Sequence, residues 1–205
     1  MELGARGEAI RAGLRLEVFT VAWMAIEAVV AIGAGVAARS VLLTAFGFDS
    51  VIELLSGVTL LWWLSAEARG AGTSHIEGME RRATQISAVL LVLLCAYLVL
   101  TGVGGLVLRL HPEGSAVGVA VSAAAVVVMP MLAWRKRRVN ATLESAALRA
   151  DIAETLTCAY MAAATLAGTA LNLLAGWWWA EYVAALALLV FVVMETREAL
   201  EAARS

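Results

Sequence analysis

A chain of 205 residues that is 62% hydrophobic and 16% charged, with mean hydropathy +0.86, is too apolar for a soluble domain. A formal net charge of −2 offers no basic footprint for nucleic acid. The two cysteines, Cys95 and Cys158, both sit inside apolar stretches, which excludes a disulfide framework.

A membrane-crossing helix needs about 20 mostly apolar residues. The first stretch of that kind, 16–37, carries Glu27 near its middle, and Arg39 breaks it. The second, 40–66, holds Asp49 and Glu53 and ends near Trp62 and Trp63. The polar segment 67–81, with Gly70, Gly72 and Gly78, predicts a flexible loop. The third span, 82–108, contains Gly102, Gly104 and Gly105, small residues suited to close helix packing. The fourth, 115–134, contains Pro130, a kink position, and runs into the basic series Arg135, Lys136, Arg137, Arg138. The fifth, 145–175, holds Asp151, Glu154 and Cys158. The sixth, 177–196, opens on Trp177, Trp178 and Trp179, as an aromatic belt would, with Glu181 at the depth of an interface. The predicted fold is an all-α integral membrane bundle of six transmembrane helices, one domain over 1–205.

Basic residues set the orientation. With both termini cytoplasmic, thirteen of the fifteen Lys and Arg lie inside, and Arg39 and Arg109 lie outside. The run 135–138 then reads as a topology determinant that also touches anionic lipid. Fourteen of the fifteen are Arg, and with abundant Ala and Gly this points to a GC-rich bacterial source, hence to a bacterial plasma membrane.

The chemistry is concentrated in two acid-bearing turns. Ionisable groups at membrane depth cost roughly 3 kcal/mol each on insertion scales, so they persist mainly at functional positions. At a rise of 1.5 Å per residue, Asp49 and Glu53 lie about 14 and 20 Å below the outer face. Glu154 and Cys158 lie about 14 and 20 Å above the inner face. In a hydrocarbon core about 30 Å thick, all four fall near mid-depth. Each pair is spaced i, i+4 and shares a helix face. If the second and fifth helices pack antiparallel, Asp49 meets Cys158, Glu53 meets Glu154, and four donors form a tetrahedral cage that Zn²⁺ accepts. Asp151, one turn nearer the cytoplasm, is expected at the mouth of the pathway, and Glu27 along it.

These motifs resemble the cation diffusion facilitators. That family carries D-x-x-x-D on its second helix and H-x-x-x-D or D-x-x-x-D on its fifth, after an Ala-Asp pair. Here the second helix reads Asp49-Ser50-Val51-Ile52-Glu53, and the fifth reads Ala150-Asp151-Ile152-Ala153-Glu154-Thr155-Leu156-Thr157-Cys158. Glu154 stands where the family has His or Asp, and Cys158 where it has Asp. The resemblance implies six spans with both ends inside, and a homodimer, for which Gly102 and Gly105 offer a candidate face. Residues 197–205 alone follow the last expected span, so the resemblance is to the transmembrane domain without the family's usual cytoplasmic C-terminal domain.

The function expected is secondary transport, exporting a divalent transition metal from the cytoplasm. Three oxygens favour Mn²⁺, Fe²⁺ or Co²⁺, and one thiolate favours Zn²⁺ or Cd²⁺, with zinc the first expectation. Carboxylate and thiol ligands must be deprotonated to bind metal, so the same site exchanges metal for protons. No prosthetic group is expected. The alternative is a membrane metal sensor or subunit that binds without moving ions. An intramembrane enzyme is not supported, because both His lie outside the expected spans and no H-E-x-x-H motif is present.

Overall fold

A computed structural model describes residues 2–68 and 74–204. Among these residues there are six helices and no strand. The helices are α1 (Glu2–Ala38), α2 (Val41–Ala68), α3 (Ser74–Val107), α4 (Ala116–Leu143), α5 (Ala146–Ala175) and α6 (Trp178–Arg204). Each is long and apolar enough to cross a membrane.

The second helix organises the bundle. It touches α1, α3, α5 and α6, and it is the most buried of the six. Its hairpin with α1 is close because Gly47 presents no side chain; a Cβ there would stand 2.8 Å from the backbone nitrogen of Ile32. The corner is a short reversal with Arg39 in the left-handed region (φ 52). Ser40 Oγ then caps α2 by accepting from the Leu43 amide at 3.1 Å. The apolar core runs from Leu42, Leu43 and Phe46 through Leu98 and Met129 to Met161 and Leu188.

The membrane-facing surface is equally legible. On α3, Val89, Leu93, Leu100 and Val107 fall at heptad-like spacing and are 59–73% exposed. That stripe has no polar group to hide, so it faces lipid at no desolvation cost.

Three expectations need correction here, and a fourth, for Glu181, gains detail. The segment 67–81 is not one long loop, since α2 runs to Ala68 and α3 starts at Ser74; Gly70 and Gly72 fall outside the described residues. The fourth helix does not stop at 134. Arg and Lys are good helix formers, and the stop comes only at Glu144 (φ 53), whose amide donates to Asn140 O at 2.8 Å, followed by the Ser145 cap of α5. Gly102 and Gly105 do not offer a free dimer face. A Cβ on Gly105 would come within 2.2 Å of Tyr182, so α6 of the same chain covers this side of α3. Glu181 keeps its place at the start of α6, but it does not rely on interfacial water. It is 2% exposed, accepting hydrogen bonds from Ser40 Oγ and from Asn172 Nδ2 (2.7 Å).

Candidate metal centre

Burial on α2 recurs at Leu42, Leu43, Phe46, Asp49, Ser50 and Glu53. That period places both acids of the Asp49 turn on the interior face, against α5. On α5 the buried stripe is Leu148, Asp151, Thr155, Cys158 and Thr165. Where the two stripes meet, Asp49, Glu53 and Cys158 each bring a ligand atom within 4.8 Å of the other two.

The electrostatic state of this trio is unusual. Asp49 is 1% exposed, Glu53 6% and Cys158 0%. All four carboxylate oxygens are buried and accept no hydrogen bond among the described residues. Buried polar atoms are almost always partnered, and an isolated buried carboxylate is strongly disfavoured. Two such groups on one helical turn therefore call for a cation or protons. Tetrahedral Zn²⁺, with bonds of 2.0–2.3 Å, separates its donors by about 3.3–3.8 Å. The trio needs to close by at most about 1.5 Å to reach that geometry.

Glu154 is not part of the trio. It faces Ser56 of α2, with the charges of Asp151, Lys136, Glu195 and Glu198 and, more weakly, Asp49 in electrostatic range. The reason is register. Residues i and i+4 are offset by about 40° and 6 Å along an α-helix. Cys158 lies against both acids of α2 at once, and Glu154 is left one turn toward the cytoplasm, where α2 offers Ser56. Asp151 is not an open mouth residue either. Its Oδ2 lies 2.6 Å from Lys136 Nζ, which also reaches Glu17 Oε2 at 3.1 Å, and Lys136 is 1% exposed. Glu27 is 0% exposed, accepting from Trp23 Nε1 (2.7 Å) and Ser50 Oγ (2.8 Å). Its Oε1 stands 3.9 Å from Cys158 Sγ.

Two of these residues escaped the sequence reading. Glu17 belongs to a buried stripe of α1 that also includes Thr20, Met24, Glu27 and Ala31. That 3–4 spacing of polar residues was a signal that α1 turns a functional face inward. Lys136 was absorbed into the basic run, although it is the one Lys among fifteen basic residues. Its compact ammonium carries three donors and meets both Glu17 and Asp151. Its neighbours in sequence stay outside, Arg138 stacking 3.8 Å over the ring of Trp134.

The sequence profile of the cation efflux transmembrane domain matches residues 18–205. No curated protein matched the chain. With six membrane-length helices and a match over most of its length, the chain belongs to the cation efflux family, the transmembrane domain of the cation diffusion facilitators, and is an integral membrane protein of a family that transports metal cations.

Proposed function

We propose that this protein exports a divalent transition metal, zinc first, from the cytoplasm in exchange for protons. The observation that carries the reading is the trio Asp49, Glu53 and Cys158, buried at mid-helix, with no basic side chain paired to either acid among the described residues. Such a set is incomplete without a cation. Its two oxygen donors and one sulfur suit Zn²⁺ or Cd²⁺, with Mn²⁺, Fe²⁺ and Co²⁺ as harder competitors.

Metal binding displaces protons from carboxyl and thiol groups, and proton binding expels the metal. A single site that alternately faces the two sides therefore couples the two flows. Glu154, beside Ser56 and one turn inward, belongs to the cytoplasmic approach in this scheme. Two copies of the chain form the transporting unit, joined through a face other than the Gly102 and Gly105 side of α3; mass measurement in lipid tests that part.

The functional test is metal flux in sealed vesicles. Reconstituted protein should accumulate Zn²⁺ when the lumen is acidic, and adding Zn²⁺ outside should dissipate the pH gradient. Metal bound tightly without flux would instead identify a membrane sensor or subunit. Flux that leaves the proton gradient untouched would remove the antiport.

A further inference from the structure

We propose that the buried triad of Glu17, Lys136 and Asp151 is a proton-binding site of its own, with the proton carried on Glu17 Oε1. The site lies apart from the metal trio and shares no residue with it, so it goes beyond the competition of metal and protons for the same ligands.

Charge balance carries the inference. Glu17 and Lys136 are each 1% exposed, and Asp151 is 7% exposed. Two carboxylates meet a single ammonium there, through Glu17 Oε2 at 3.1 Å and Asp151 Oδ2 at 2.6 Å. No other basic side chain pairs with either acid among the described residues. One negative charge is therefore in excess, and the next ionisable group in range, Glu154 of α5, is another acid. A buried carboxylate without a counter-charge is strongly disfavoured, and the usual outcome is that the group neutralises.

Geometry says which atom takes the proton. Glu17 Oε2 and Asp151 Oδ2 are turned to the ammonium. Glu17 Oε1 is buried and has no hydrogen-bond partner among the described residues. It points at α2, where a Cβ on Gly57 would stand 3.0 Å from it. The charged groups around Glu17 are thus Lys136 on α4 and Asp151 and Glu154 on α5, while α2 presents Gly57, one turn after Glu53. A metal ion does not fit the same place. The ammonium already touches both acids and repels a dication. A proton needs no coordination shell, and one proton matches one excess charge. The step is a transfer from hydronium to Oε1: an O–H bond forms, water leaves, and the triad becomes neutral.

The experiment is infrared difference spectroscopy of the purified full chain in lipid nanodiscs, free of added metal, between alkaline and neutral pH. The stretch of protonated carboxyl groups is compared in wild type, Glu17→Gln, Glu17→Asp and Asp151→Asn. The metal trio is intact in all four, so its own protons cancel in the comparison. Glu17→Gln and Asp151→Asn should each remove the intensity of one carboxyl group per chain, because each leaves one acid to one ammonium. Glu17→Asp keeps the charge count, so it should keep the intensity at a shifted frequency, the proton now sitting on a different acid. Wild-type intensity in Glu17→Gln would overturn the proposal. An unshifted band in Glu17→Asp would put the proton on Asp151 and overturn it as well. Should Glu17→Gln fail to give a monodisperse protein, Asp151→Asn decides: intensity retained there means that the triad has no excess charge to neutralise, and the proposal falls.

Discussion

Asp49 and Glu53 are buried without an ion-pair partner among the described residues, whereas Glu17 and Asp151, buried just as deeply, close on the ammonium of Lys136 at 3.1 and 2.6 Å. The two clusters share α5 and carry the same kind of acid. They differ in whether the chain supplies its own cation. The Lys136 triad ties α1, α4 and α5 together with a fixed charge, and Thr155 adds a long contact of 3.5 Å to the same ammonium. At the trio no Lys or Arg pairs with either acid among the described residues. A resident cation makes a buried acid part of the scaffold, while the lack of one leaves the acid to a mobile ligand.

The sharpest way to break this comparison is to remove the resident cation. Lys136→Met leaves Glu17 and Asp151 uncompensated, and losing one partner of a buried ion pair costs about 3–5 kcal/mol. Thermal unfolding in lipid should show that loss, and an unchanged transition would place the triad outside the scaffold. The converse substitution has the opposite signature. Asp49→Asn removes an unpartnered buried charge, so stability should hold or rise, while flux falls by about 100-fold or more, since the dication loses one of its anionic donors. Vesicle flux and unfolding on the same preparation measure both.

A smaller effect separates Cys158 from the acids. Cys158→Ser replaces a soft donor by a hard one, so the Zn²⁺ to Mn²⁺ preference should shift by about 10-fold toward Mn²⁺ with flux retained. An unchanged order in a competition assay would make Cys158 a packing residue. Lowering the cytoplasmic pH should slow export for the same reason that metal and proton exclude one another: binding needs the deprotonated ligands, so it is present at higher pH and lost as pH falls. The smallest effect is expected at Glu154. Glu154→Gln should slow flux by about 10-fold while leaving the affinity of the purified protein near that of wild type, as fits a residue on the approach. Loss of affinity equal to that of Asp49→Asn would return Glu154 to the metal shell.

The fold was legible because lipid demands long apolar helices, and that demand is written in composition and length. Helix ends were less legible. The hydropathy drop at Arg135 looked like a boundary, yet helical backbone continues to Leu143, where a capping signal finally stops it. At the site, residue identity and depth were readable, because ionisable side chains in an apolar run are costly enough to stand out. The register between α2 and α5 was not. That register decides whether Glu154 meets Glu53 or Ser56 across α2, and no periodicity within one helix fixes its sliding against another. Lys136 was hidden for a related reason: a basic residue near a membrane end reads as a topology signal until the fold shows which way it points.

Anomalous X-ray scattering from protein loaded with Zn²⁺ tests the central claim most directly. The account predicts one strong peak about 2.0–2.3 Å from carboxylate oxygens of Asp49 and Glu53 and from Cys158 Sγ. A peak between Glu17 and Asp151, or beside Glu154 and Glu198 with the trio bare, would contradict it.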